Sequence, residues 1–209
     1  MVGAEIVLFL TVVYILFRPN GAIGSQISQW RENREVRRVL AAEWPLLTDT
    51  DGQWGAREGR IVAVEFSDYE CPYCRLAHVE LKGLLARAPY RVVYRHFPLP
   101  SHPAARGAAR AAICAGTQGR FSEMHDRLFE TTDWQRDTNW TREAVGAGVR
   151  DIEEFHRCLG RPGTMARLAQ DEALARKLGV TGTPTFFTPS GKEQGVLPEI
   201  KLRSFFGLN

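Results

Sequence analysis

Two cysteines two residues apart, in Cys71-Pro72-Tyr73-Cys74, have the spacing for reversible disulfide chemistry. At i and i+3 on the first turn of a helix, such a pair either closes a small ring or presents a dithiol. The first sulfur would sit at the N-cap, where unpaired backbone N–H groups and the helix dipole favour negative charge. A thiol held there ionises below its free value and is thiolate at neutral pH. Pro72 suits the first helical position, whose N–H has no partner in any case. The expectation is that Cys71 is an exposed nucleophile and leaving group, and that Cys74, one turn in and more buried, is the resolving thiol. The bland alternative is an inert buried pair. Zinc is the sharper rival, because Cys71, Cys74 and His78 share one helical face. No second closely spaced ligand pair follows, so no metal is assigned.

Two further positions bear on the pair. Glu65 is the one charged residue within Ile61-Val62-Ala63-Val64-Glu65-Phe66. Strand alternation groups it with Ile61 and Ala63, which predicts a carboxyl buried beneath the active-site helix. Burial would raise its pKa and let it exchange a proton with Cys74. Thr183-Pro184 follows Gly182 and opens a strand, where a proline gives no ladder hydrogen bond. A cis bond there would set Pro184 beside the thiols and leave the Thr183 backbone open to an extended peptide, whereas a trans bond at a strand start is the ordinary case.

The elements that must position these groups follow from pattern. Ile61–Phe66 reads as a buried strand, followed by a helix from the cysteines to about Ala88. A second strand spans Tyr90 to Phe97, ended by Pro98 and Pro100. Strand–helix–strand with a helical crossover makes a parallel pair. From about 103 to 178, alanine-rich and charged segments broken near 116–119, 133–141 and 160–163 predict three or four helices. Thr183–Thr188 predicts a third strand, the turn Pro189-Ser190-Gly191-Lys192 leads to a fourth around Gln194–Leu197, and Pro198 opens a last short helix. The order describes an α/β domain with an inserted helical block.

Upstream, Thr48–Gly52 marks a turn before the core, and residues 26–43 read as a helical lead-in. Residues 18–25 are rich in turn formers and read as a linker. The run from Ile6 to Phe17 is apolar, shorter than the ~20 residues of a spanning helix, and fits a signal core or a marginal anchor. No small-residue cleavage site stands before residues 21–25, which favours an uncleaved anchor over residues 6–17. No Lys or Arg precedes the run, while Arg18, Arg31, Arg34, Arg37 and Arg38 follow it. The positive-inside rule alone would place the catalytic part in the cytoplasm. With 44% hydrophobic and 24% charged residues the chain is of ordinary globular make-up, which excludes disordered and collagen-like classes. A net charge of +3 with scattered arginines gives no basis for nucleic-acid binding. A close cysteine pair with a distant pair, Cys114 and Cys158, suggests one reactive dithiol and one structural bridge, which would need an oxidising compartment.

The stretch Glu65-Phe66-Ser67-Asp68-Tyr69-Glu70-Cys71-Pro72-Tyr73-Cys74-Arg75, with Gly179-Val180-Thr181-Gly182-Thr183-Pro184-Thr185-Phe186-Phe187 far downstream, resembles the DsbA-like family of thiol–disulfide oxidoreductases. Tyr94–Leu99 and the segment from Ala112 to His125 add to the likeness, which covers residues 44–207. It implies a thioredoxin fold with an inserted helical domain. It also implies Cys71 as nucleophile, Cys74 as resolving cysteine, Glu65 as buried acid and Pro184 as cis-proline. Tyr73 stands where the most oxidising members carry histidine. Some members carry a second disulfide where Cys114 and Cys158 fall. The resemblance implies an extracytoplasmic location, reduced exported proteins as substrates and a membrane quinone-linked thiol oxidase as reoxidant. The redox-active disulfide is then the only cofactor. The five histidines, His78, His96, His102, His125 and His156, are expected at the surface or in caps. Disulfide isomerase or reductase activity is the alternative within this chemistry, and a metal- or peptide-binding module on the same scaffold is the alternative outside it.

Overall fold

The computed structural model describes residues 37–50 and 52–208, together with Tyr14 and Arg34. The expected signal or anchor over residues 6–17, the linker over 18–25 and most of the lead-in before residue 37 lie outside the described residues. Among the described residues no helix is long and apolar enough to cross a membrane. Backbone contacts divide the chain into residues 1–44 with 189–191, and residues 45–188 with 192–209. In the first unit residues 37–44 are helical, and Arg37 Nε donates to the Ser190 carbonyl at 3.1 Å.

The second unit is built on a sheet of β1 (Gln53–Gly55), β2 (Arg60–Ser67), β3 (Tyr90–His96), β4 (Thr185–Thr188) and β5 (Gly191–Gln194), in the order β1-β3-β2-β4-β5. β2 runs parallel to β3 and antiparallel to β4, and β1 is antiparallel to β3. Every residue of β2 from Val62 to Ser67 is buried, as expected of a central strand covered on both faces. Helix α1 (Pro72–Leu85) is the β2–β3 crossover; it buries Cys74, Ala77, His78, Leu81, Leu84 and Leu85 and leaves Tyr73, Leu76 and Val79 outside.

Between β3 and β4 lie α2 (Ala105–Gly116), α3 (Phe121–Glu130), α4 (Trp134–Asp137), α5 (Trp140–Gly146), α6 (Ile152–Leu159) and α7 (Pro162–Lys177), with α8 (Glu199–Phe205) at the end. The block thus holds six described helices where pattern predicted three or four. The unread breaks are local: Thr138 at φ 45° ends the single turn of α4, and Gly148 at φ 74° ends α5 before Asp151 caps α6. The fourth strand begins at Gly191 rather than near Gln194, because the chain reverses within Pro189-Ser190. β1 went unread. Its three residues are too few to show alternation, yet Trp54 is 5% exposed and a Cβ on Gly55, at φ 115°, would clash with the Tyr90 carbonyl.

Asp171, fully buried on α7, fastens this frame. Its Oδ1 accepts from Arg95 Nη1 at 2.8 Å and Arg167 Nη1 at 2.6 Å, and its Oδ2 accepts from the His96 N–H at 3.1 Å. Arg95 in turn donates to the carbonyls of Leu46, Leu47 and Asp49, which pins the segment before β1 to the sheet. Cys114 of α2 and Cys158 of α6 are disulfide-bonded across 44 residues of chain.

Candidate active site

The dithiol stands where β2 hands over to α1. Cys71 is the N-cap, with φ −71° and ψ 123°, and Pro72 takes the first helical position. The connecting loop is fixed by its own acids. Asp68 accepts from the N–H groups of Glu70 and Leu99, each at 2.8 Å, and meets His102 Nδ1 at 2.7 Å. Glu70 Oε2 accepts from the Ala104 N–H at 2.8 Å. The 67–71 turn is thereby tied to the start of the helical block, a role the sequence did not announce, since nothing in local spacing links Asp68 to Leu99 or His102.

Cys71 and Cys74 are unbonded to each other and buried. Cys71 is 4% exposed, not the exposed sulfur expected from its place at a helix start. Thr183, brought from 112 residues away, covers it: the Cys71 thiol lies 3.6 Å from the Thr183 carbonyl. The Thr183–Pro184 peptide bond is cis. Thr183 thus stands at the sulfur, and the shielding it gives is a tertiary effect.

The two thiols are driven apart in acidity. Cys71 is lowered to about 5 by the Cys74 side-chain hydrogen bond, then by the Thr183 side chain and the N–H groups of Cys74 and Tyr73, which together outweigh the opposing effect of burial. Cys74, completely buried, is raised well above an ordinary thiol by loss of solvent, by its hydrogen bond to Cys71 and by the charge of Glu65. Such a pair has one sulfur suited to leave or attack as thiolate and one that must receive or lose a proton.

Glu65 lies near enough for its charge to bear on Cys74 and for that of Cys71 to bear on it. It is 2% exposed, and loss of solvent raises its carboxyl to about 7; the Cys71 charge adds to the rise and the nearby Ser67 hydroxyl opposes it. A folded-state pKa above the unfolded 4.5 means that stability is full below about 4.5 and lost as pH rises through about 7. Glu65→Gln should therefore match the parent near pH ~4 and gain about 3 kcal/mol by pH ~8. Urea denaturation of the oxidised protein at both pH values checks this; an advantage that does not change with pH would mean that burial is not what raises the group.

His78, His96 and His125, expected at the surface or in caps, are instead 4%, 3% and 1% exposed. They pack among Trp54, Tyr69, Tyr94, Phe121 and Phe129, where desolvation holds them neutral: His78 and His96 fall to about 4, and His125 falls well below an ordinary imidazole. His102 and His156 do sit in polar contacts, with Asp68 and with the Thr141 hydroxyl at 2.8 Å. Among the described residues the group close enough to share an ion is His78, His125 and Asp126; Cys71, Cys74 and His78 do not converge as a ligand set.

Over residues 62–204 the chain matches the DSBA-like thioredoxin domain. A thioredoxin-like oxidoreductase from Silicibacter pomeroyi DSS-3 is 35% identical and superposes with a TM-score of 0.68 over 78% of this chain and 94% of that one. The thiol-disulfide exchange protein alpha-DsbA2 of Wolbachia pipientis, at 18% identity, shares the fold, with a TM-score of 0.73 over 85% and 97% of the two chains. The Na(+)/H(+) antiporter NhaA 3 of Salinispora tropica is 39% identical over 153 residues, which make up 72% of this chain and 23% of that protein. The chain spans about a quarter of the length of the curated relatives it matches.

Proposed function

This chain belongs to the family of DSBA-like thioredoxin domains, whose members are thiol–disulfide oxidoreductases, and from that premise we propose that it works as an oxidase, passing its Cys71–Cys74 disulfide to reduced exported proteins. A client thiolate attacks the Cys71 sulfur, the bond to Cys74 breaks, and Cys74 departs with the electron pair and takes a proton. A second client thiolate then displaces Cys71, which leaves as thiolate. No cofactor beyond the disulfide enters this exchange. Reoxidation falls to a membrane quinone-linked thiol oxidase that accepts the two electrons.

The observation that carries this direction is the lowering of Cys71 to about 5 at the N-cap. An acidic thiol is a good leaving group and stabilises the reduced state, so the disulfide takes electrons readily; isomerase and reductase work call for a weaker bias. Tyr73 leaves this bias to hydrogen bonds from Cys74, Thr183 and the first helical turn. Thr183 and Pro184 form one wall for a client chain, and Tyr73, Leu76 and Val79, each more than half exposed on α1, offer apolar surface beside it. The Cys114–Cys158 bond supports an extracytoplasmic place of work, because such bridges persist in oxidising compartments.

Trapping tests the proposal. In Cys74→Ala no Cys71–Cys74 bond can form, so the Cys71 thiolate attacks the disulfide of an oxidised client and expels one client thiolate, and the mixed disulfide persists because no Cys74 is present to break it. Mixed disulfides with exported proteins should accumulate, and the same variant carrying Cys71→Ser should show none. A Cys74→Ala protein that collects no clients would sink the reading of Cys71 as the exchanging sulfur, and a parent disulfide no more oxidising than the glutathione pool would sink the oxidase direction.

A further inference from the structure

A line of buried polar side chains runs from Glu65 to the surface behind the thiols. Glu65 lies opposite Tyr94 in the parallel β2–β3 register, so the two side chains share a face of the sheet. Both carry buried polar atoms, Glu65 Oε1 and Tyr94 Oη, with no hydrogen-bond partner among the described residues. Tyr94 stacks on Tyr69 with ring centroids 4.9 Å apart and planes within 19°. Two hydrogen bonds follow. The Tyr69 hydroxyl is 3.2 Å from His125 Nδ1, and His125 Nε2 is 3.4 Å from His78 Nδ1. His78 Nε2 then faces Asp126 Oδ1 at 3.7 Å, both buried atoms without another partner. Asp126 is the outlet: its side chain is 29% exposed and meets Lys82 Nζ at 3.0 Å. Every member before it is 4% exposed or less.

We propose that Tyr94, Tyr69, His125 and His78 carry protons between the Glu65 carboxyl and Asp126 at the surface. The inference rests on the reading of Glu65 as the proton partner of Cys74. When a thiolate breaks the Cys71–Cys74 bond, Cys74 leaves with the electron pair and takes the Glu65 proton. The carboxylate left behind is sealed from water, and because burial favours its protonated form it draws a proton from the surface while Cys74 is still reduced. A proton entering at Asp126 passes to His78 Nε2 while His78 Nδ1 gives one to His125 Nε2. His125 Nδ1 then gives one to the Tyr69 hydroxyl, whose own proton passes to Tyr94 Oη and then to Glu65; neither of these last two steps has a hydrogen bond at rest, so each waits on a side-chain swing that brings the oxygens together. One proton enters, one arrives, and each carrier ends neutral with its hydrogen moved from one side to the other. When Cys74 is deprotonated for reoxidation the transfer runs in reverse.

Neutral imidazole suits this work because it donates at one nitrogen while accepting at the other. The surroundings keep it neutral. Around His78 stand Arg75, Lys82, Glu130, Asp126 and Trp54, and around His125 stand His78, His96, Lys82, Tyr69 and Tyr94; loss of solvent dominates for both rings. Purely structural packing would need neither the alternation of donors and acceptors nor an acid at the surface end.

The test uses reduction of the oxidised protein by dithiothreitol, which breaks the bond whatever the natural client, followed by stopped flow in H2O and D2O. Tyr69→Phe keeps the ring and removes the hydroxyl. It should slow the proton-dependent phase about fivefold or more and enlarge the solvent isotope effect. It should leave the dithiothreitol equilibrium constant unchanged and cause no further slowing in a Glu65→Gln background. His78→Ala should be slow in the same way and be restored by added imidazole, which decides the matter if Tyr69→Phe does not fold. Parent rates and isotope effects in both variants, slowing that persists undiminished with Glu65→Gln, or His78→Ala indifferent to imidazole would overturn the path. Parent behaviour of Glu65→Gln itself would instead remove the proton role of Glu65, a separate failure.

Discussion

Alkylation of the reduced protein by iodoacetamide should rise about tenfold between pH ~4 and pH ~7, in one step centred near pH ~5, and then level off. An unperturbed thiol at 9.0 would still be climbing at pH ~8. At pH ~6 such a thiol is ionised to roughly one part in a thousand, whereas Cys71, lowered to about 5, is almost wholly thiolate. That gain is not all reactivity. Nucleophilicity falls with pKa, and over four units the loss is about fiftyfold, so the net advantage at pH ~6 is about twentyfold and vanishes near pH ~7.3. Cys74, completely buried and raised, should stay unmodified throughout. Mass spectrometry of the alkylated peptides assigns the sulfur, and Cys71→Ser should abolish both the labelling and all disulfide exchange. A midpoint near pH ~9 would mean that the helix start and the Cys74 thiol do not hold the charge.

Removing the second disulfide should cost about 4 kcal/mol, the chain-entropy value for a loop of 44 residues. That is a large share of the 5–15 kcal/mol typical of a domain, roughly speaking. The variant to use is Cys114→Ala with Cys158→Ala, which leaves no stray thiol. Both sulfurs lie in the core against the Thr164 hydroxyl, which donates to the Cys158 carbonyl at 2.7 Å, so the alanines also leave a small void. Denaturant unfolding should show a lower midpoint, with the Cys71 alkylation profile intact, because Cys114 sits in the last turn of α2, about 15 Å along the helix from the Ala104 end that meets Glu70. A loss below about 1 kcal/mol would mean that the helices are held by packing alone.

Much of the site was legible because its determinants are local. Spacing alone puts Cys71, Pro72 and Cys74 on a first helical turn, and alternation alone turns Glu65 inward with Ala63. β2, α1 and β3 followed from runs long enough to show a period. What escaped depends on contacts between distant segments. The shielding of Cys71 needs Thr183, and the clamp on Asp68 needs Leu99 and His102. The burial of His78, His96 and His125 could not be read, since a neutral histidine among rings carries no positional pattern; Trp54, Tyr69 and Phe129 come from three separate elements to enclose them. The short pieces failed for want of length: β1 with three residues and α4 with four leave no periodicity to see.

The outer strands bear on how such a domain handles unfolded polypeptide. The margins of the sheet are three and four residues long, one stopped by Gly55 at φ 115° and the other bounded by Gly195 at φ 92°. Borders so brief give a stray extended chain little to zip onto, which guards against the accretion that open margins invite. On the proposed oxidase reading, main-chain docking is then left to the backbone beside Pro184. Lengthening either border would turn a passing customer into a lodger, and the protein into a seed for aggregates.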